Sequence, residues 1–485
     1  MTRALDVVVV GSGPNGLAAA VTLARAGLEV VVLEAQPHPG GGARTADLGL
    51  WPGVVHDTCS AVHPMAVASP FFRRFDLAAR GVELVAPEVS YAQPLAQGAG
   101  IAYRDLDRTA RELGVDGGAW LETFGPLVAH AEALVGFLMG DRRHLPRDLV
   151  TAVRFGLRAF EQGVAPLWDR RFREETAPAL LTGIASHAIT PLPSIAGAGT
   201  ALLLGTLAHA VGWTVPLGGT QAITDALVAD LRAHGGEIRT GHLVRTQRDL
   251  PPARAVVFDT SPSAVAAVMG ARLSRGTARG YQAYRHGNAA AKVDFVLSGP
   301  VPWADPRVGR AGTVHVGGTR AEMAAAEHAL TQGRHAEPPM VLASDPSVGD
   351  PGRATADGHR PLWTYAHVPA GSRADVTEAV TARIEQYAPG FRDVVVASRC
   401  TPAARIELGN ANYVGGDIAG GAITLPRMLV GPVLSPDPFV AADGVYLCSA
   451  AVPPGPGVHG MGGWHAARRV LARSFGIERP PGLAP

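Results

Sequence analysis

The chain has 485 residues, 47% of them hydrophobic, with 43 basic against 42 acidic side chains and a formal net charge of +1. That length calls for two or more domains around a large core, and the balanced charge excludes the electrostatic footprint of a nucleic-acid-binding protein. Three cysteines, Cys59, Cys400 and Cys448, are too few and too scattered for a disulfide frame or a metal cluster, so no metal is expected and a reducing cytoplasm fits.

Met1-Thr2-Arg3 leads almost at once into the first strand, so no separate signal segment is expected. The strand is Asp6-Val7-Val8-Val9-Val10. It runs into the turn Gly11-Ser12-Gly13-Pro14-Asn15-Gly16, an Ala-rich helix, and a second apolar strand ending at Glu34. This is the βαβ dinucleotide fingerprint in its full context. Gly11 permits the tight turn, Gly13 lets the backbone approach a pyrophosphate, and Gly16 lets helix and strand pack closely. Free N–H groups at the helix start favour phosphate, and Glu34 is spaced to accept from a ribose hydroxyl. Past Ala35, a second glycine cluster, Gly40-Gly41-Gly42-Ala43-Arg44-Thr45, lets the chain pass close to a cofactor, with Arg44 able to meet a phosphate.

His56-Asp57-Thr58-Cys59-Ser60-Ala61-Val62-His63-Pro64 follows, and His63 can stand against a substrate or serve only structure. Residues 69–205 turn helical, with apolar side chains at helical spacing in Trp120-Leu121-Phe124-Leu127-Val128 and over 149–160, separated by polar breaks such as Gly140-Asp141-Arg142-Arg143. Residues 176–224 contain no Asp, Glu, Lys or Arg. Within them, 195–213 is apolar enough to be considered as a membrane span. Gly197, Gly199, Gly205, Gly212 and His209 interrupt it, and no close basic cluster flanks it, so a buried helix walling an apolar cavity is expected. Residues 206–269 return to an alternating pattern: a helix to Ala233, a strand from Glu237 leading to Val244, and a buried strand ending in the turn that carries Ser261. Residues 270–412 are strand-rich and include Lys292. In 413–485, Gly444-Val445-Tyr446-Leu447-Cys448-Ser449-Ala450 is a strand ending in small residues. Pro453-Pro454-Gly455-Pro456-Gly457-Val458-His459-Gly460-Met461 then opens a final helix.

Taken together, these segments resemble the phytoene-dehydrogenase-like FAD-dependent oxidoreductases, within the phytoene desaturase and amine oxidase superfamily. The likeness is to members akin to the pyridine nucleotide-disulphide oxidoreductase domain-containing protein 2 group. The amine-oxidase form of the second glycine cluster reads GGRxxT. Here Gly42 replaces its first Arg, a third glycine familiar in the phytoene-dehydrogenase branch. The resemblance implies an α/β fold: a glutathione-reductase-type, Rossmann-like FAD domain built from 1–68, 206–269 and 413–485. A substrate domain is inserted as a helical part, 69–205, and a sheet, 270–412. It implies non-covalent FAD held by residues 11–16, Glu34, Ala35, Gly41, Gly42, Ala43, Arg44, Ser60, Ala61, Val62, Val244, Ser261, Ser449, Ala450, Gly457, Val458, His459 and Met461. Val244 would touch adenine through its backbone. The amides of Val458 and His459 would face the flavin N1/O2 edge and stabilise negative charge there.

With one dinucleotide fingerprint and no redox Cys pair, a disulfide-reductase reading is excluded. The activity implied is hydride transfer between a hydrophobic isoprenoid, polyene or alkyl-type substrate and flavin N5. Desaturase or dehydrogenase chemistry is the first expectation; a flavin-dependent isomerase or reductase of a polyunsaturated chain, an amine oxidase, or a FAD-bearing scaffold are the alternatives. By the same resemblance, Lys292 sits where amine oxidases place a lysine holding a water near N5, and His63 and His459 are the other candidate catalytic residues. A cytoplasmic location, with peripheral contact at a membrane surface, accompanies a hydrophobic substrate.

Overall fold

The protein is described here by a computed structural model covering residues 4–141, 143–168 and 170–485; the opening Met1-Thr2-Arg3 and Arg142 of the polar break lie outside the described residues. Two sheets organise them. The first has six strands in the order Val440–Ala442, Val445–Leu447, Ala253–Phe258, Leu5–Val10, Val30–Leu33 and Glu237–Arg239. All neighbours are parallel except the Val440–Ala442 edge. Its inner strands are continuous Val/Leu/Phe runs because helices cover the sheet and leave neither face in water. Val7 to Val9 and Val30 to Val32 are essentially inaccessible.

Helix Pro14–Arg25 covers one face. Proline at its first position supplies a preset φ where no amide partner is lost. The C-terminal helix Met461–Phe475 packs directly against it. A Cβ on Gly463 would lie 1.8 Å from the Asn15 carbonyl oxygen, so only glycine permits this approach. The last helix thereby braces the start of the dinucleotide helix.

The second sheet has seven strands: Val395–Thr401, Ala289–Leu297, Arg360–Val368, Val341–Ser344, Ala311–Val316, Val89–Pro94 and Ala99–Tyr103. Every pairing is antiparallel except Ala311–Val316 with Val89–Pro94. Two of these strands come from the 69–205 region read as helical. They are short, and nothing in their composition outweighs the helical spacing that follows them. The rest of that region is helical, including Gly117–Ala129, Leu149–Gly163, Thr176–Ala185 and Ile195–Ala210.

Ile195–Ala210 has buried positions all around its circumference. It is buried among protein helices, as the interrupting glycines and His209 suggested. His209 is satisfied there: Nδ1 meets the Tyr103 carbonyl at 2.8 Å and Nε2 accepts from the Trp120 indole at 3.2 Å. Among the described residues no helix is long and apolar enough to cross a membrane.

Candidate functional site

The two sheets and the helical layer enclose a cavity of about 530 Å³. Its lining includes residues 11–15 of the glycine loop, Glu34 and Ala35, residues 41–43, residues 60–63, Val244, Ser261, Ser449, Ala450, Gly457 and Val458. Seven separated stretches of chain thus meet on one surface. Val244 reaches it from a loop, because the strand before it ends at Arg239. Gly16, Arg44, His459, Met461 and Lys292 stand behind this surface.

Glu34 ends its strand 7% exposed. One carboxylate oxygen accepts from the Ser12 amide at 2.9 Å and the Ser12 hydroxyl at 2.5 Å; the other accepts from the Gln36 amide at 2.8 Å. The acid locks the glycine loop and still presents lone pairs to the cavity. The Gly13 and Asn15 amides at the helix start meet no acceptor among the described residues, and neither do the Val458 and His459 amides before the last helix. Asn15 Oδ1 and Thr260 Oγ1 are buried without partners. Free amides at a helix N-terminus, an acid at the second strand and orphaned polar atoms between them suit a dinucleotide. The donor set therefore fits FAD.

Sequence reasoning missed Asp259, the acid that follows the Ala253–Phe258 strand. Its carboxylate accepts from the Gly16 amide at 2.8 Å, inside the glycine loop. A Cβ on Gly13 would lie 2.5 Å from the same oxygen. Burial, with the nearby Glu34 charge adding to it, pushes the Asp259 carboxyl up to about 7 against the opposing pull of the Gly16 amide. Asn412 fastens this corner: its Nδ2 donates to the Asp259 carbonyl and its Oδ1 accepts from the Ser261 amide.

Arg44 spends its guanidinium on backbone carbonyls. Nε donates to Gly41 and Nη2 to Gly409. In this structure it braces the glycine turn, whereas the sequence pointed it at phosphate. His63 lines the cavity with its tautomer settled by its partner. The Thr220 hydroxyl donates to the Ser60 carbonyl, so His63 Nε2 donates to Thr220 Oγ1 at 2.8 Å. Nδ1 is left as a buried acceptor without a partner. Burial lowers this imidazole to about 4, so it is neutral at physiological pH.

His459 is wholly buried and serves as a helix cap: Nε2 donates to the Gly455 carbonyl, and Nδ1 accepts from the Met461 amide at 3.1 Å. Its side chain fixes the loop whose amides face the cavity. Lys292 is buried in an ion pair with Asp294, two residues on along the same strand face. Asp294 also has His56 Nδ1 3.4 Å away, and the Lys292 charge is felt at Cys59, a cavity-lining residue. Lys292 pairs with Tyr365 on the neighbouring strand and its ammonium lies 5.9 Å from the centroid of the Trp363 ring; with Leu203, Trp213 and Leu342 these two side chains form an apolar, aromatic wall.

Residues 9–75 match the NAD(P)-binding Rossmann-like domain. An uncharacterised protein of Mycobacterium tuberculosis is 28% identical over 568 aligned positions that cover 97% of each chain. A hydroxyneurosporene desaturase of Cereibacter sphaeroides is 64% identical over 39 residues, 8% of each chain. Putrescine oxidase bound to putrescine superposes with a TM-score of 0.62 at 17% identity, covering 96% of this chain and 98% of that one. The fold is therefore a Rossmann-like α/β dinucleotide domain carrying a second, sheet-and-helix domain, the arrangement shared with putrescine oxidase.

Proposed function

We propose that the chain is an FAD-dependent oxidoreductase that moves hydride between a hydrophobic isoprenoid, polyene or alkyl-type substrate and flavin N5, acting as a desaturase or dehydrogenase. The observation that carries this reading is one continuous cavity. It runs from the glycine loop and Glu34 to an apolar wall supplied by the other domain. Bound FAD, held without a covalent bond, would supply the hydride-accepting N5. The chain's own residues do the rest. Glu34 is set to accept from ribose, and the Gly13 and Asn15 amides to meet pyrophosphate. The Val458 and His459 amides, fixed by the His459 side chain, present donors where negative charge grows on reduction. Lys292 places a cation behind the cavity wall. The apolar wall orients substrate and keeps water out.

The amine-oxidase alternative gains support from the shared fold with putrescine oxidase. Charge speaks against it. Among the described lining residues the carboxylates are Glu34 and Asp259, both at the dinucleotide loop, and none stands at the apolar end to pair an ammonium. A desolvated ammonium without a partner is costly. The enzyme is proposed to work in the cytoplasm and to touch membrane surfaces where apolar substrates reside. Leu149, Val153 and Leu157 are more than half exposed on the Leu149–Gly163 helix, and Phe155 of the same helix lines the cavity.

The test is to denature the purified yellow protein. FAD appearing in the supernatant supports the reading; colour that stays with the precipitate, or FMN in the extract, refutes non-covalent FAD.

A further inference from the structure

One stretch of the cavity wall departs from its apolar surroundings. His187, in the short turn Ser186–Ala188, lines the cavity beside Trp213 and Thr313. Its Nε2 lies 2.8 Å from Nε2 of His315, which is fully buried on the strand Ala311–Val316. Trp213 packs edge-on to both imidazoles, with ring centroids 5.3 Å from His187 and 5.8 Å from His315. Behind them His367 Nδ1 is hydrogen-bonded to Glu327, both buried. Around the pair, Tyr91 Oη, Thr313 Oγ1, Trp363 Nε1 and His315 Nδ1 are buried without hydrogen-bond partners. Thr313 and Trp363 line the cavity with His187, while Tyr91 and His315 stand behind them; so polar a patch in an otherwise apolar wall suits a polar visitor at the accessible His187 ring.

We propose that this wall is the recognition site for an oxygen function, a hydroxyl or a carbonyl, carried by an otherwise apolar substrate, with His187 as the residue that bonds it. The inference rests on the reading of this cavity as the substrate site. Two neutral imidazoles facing each other through Nε2 share one proton, because one nitrogen must donate and the other accept. When that proton is on His315, His187 Nδ1 carries its own N–H and donates to a carbonyl. When it is on His187 Nε2, His187 Nδ1 is a lone pair that accepts from a hydroxyl. No protein group among the described residues occupies that nitrogen. The two neutral pairings differ in the tautomer of each ring: one proton crosses the 2.8 Å between the Nε2 atoms while His187 Nδ1 gives up a proton through solvent and His315 Nδ1 takes one up, so the same residue can hold either member of an alcohol–carbonyl couple. Burial keeps both rings neutral, with the nearby His367 adding to the effect: His187 is lowered to about 3 and His315 falls well below the usual histidine range.

The test uses octanol, octanal and octane as probes on the purified holoprotein. Quenching of the intrinsic fluorescence to which Trp213 and Trp363 contribute reads binding. Replacing His187 by phenylalanine removes the polar partner and keeps a ring. Octanol and octanal should each bind about fivefold or more weakly to His187→Phe, in line with the loss of one net hydrogen bond. Octane should bind unchanged or tighter, and His187→Gln, which can donate and accept, should recover most of the loss. Equal weakening of all three probes, no weakening of any, or no octanol binding to the wild type would overturn the proposal. FAD content is read separately, by release on denaturation. A protein without FAD that still shows the probe pattern would defeat the functional reading alone. A yellow protein without the pattern would defeat this inference alone.

Discussion

Replacing Asp259 with asparagine tests the electrostatics of the dinucleotide loop. The side chain keeps its shape and its carbonyl oxygen for the Gly16 amide but loses its charge. Burial raises this carboxyl from an ordinary 3.8 to about 7. A raised carboxyl favours the native state fully below 3.8, where both states are protonated. That advantage disappears as pH climbs to about 7, because only the unfolded chain can ionise freely in between. The shift, at about 1.36 kcal/mol per pH unit, amounts to at most about 4 kcal/mol. With an unfolding entropy of about 2 cal/mol/K per residue, a chain this long moves its melting temperature by about 1 °C per kcal/mol. Apo Asp259→Asn should therefore melt with the wild type near pH ~4 and up to about 4 °C above it near pH ~8. Scanning calorimetry of the apo proteins across that range is the assay. A melting difference independent of pH, or one that shrinks as pH rises, would show that the folded loop does not hold Asp259 protonated. FAD affinity should follow the same logic: the wild type should bind more weakly as pH rises through about 7, and the asparagine variant should not.

Glu34→Ala should weaken FAD by roughly 1.5–3 kcal/mol, the worth of a hydrogen bond to a charged acceptor, read as a dissociation constant by flavin fluorescence. An unchanged constant would show that the acid does not hold ribose. Lys292→Met alone should unfold at lower temperature, because it strands the buried Asp294 carboxylate at a cost of about 3–5 kcal/mol. Lys292→Met with Asp294→Asn should keep FAD and fold while slowing flavin reduction or reoxidation about tenfold, which needs only ~1.4 kcal/mol. Stopped-flow traces that overlay the wild type would reduce the pair to a structural role. Gly16→Ala should lose FAD, since its Cβ would lie 2.2 Å from the Gly11 carbonyl oxygen; full cofactor retention would contradict the close packing.

The dinucleotide loop, Glu34 and the final helix were legible in the sequence because their signals are local, with glycine spacing, strand patterning and helix starts all within short windows. The Lys292–Asp294 pair was not drawn from the sequence, which pointed Lys292 at a water near the flavin, although residues two apart on a strand share a face. Asp259 was not legible either: it meets Gly16 across 243 positions of chain, and no glycine turn at fixed spacing precedes it as one precedes Glu34. The same holds for His187 and His315, 128 residues apart. The side-chain directions of His459 and Arg44 also escaped. Each ends on a carbonyl whose position only the folded loop defines.

Anaerobic titration of the FAD-loaded protein, following the flavin absorption band, separates the two substrate classes. Isoprenoid and alkyl-chain substrates are added in one series and putrescine in another. Bleaching by an isoprenoid or alkyl-chain compound, with putrescine inert, is the predicted result. Bleaching by putrescine alone would contradict the account and assign the cavity to amines.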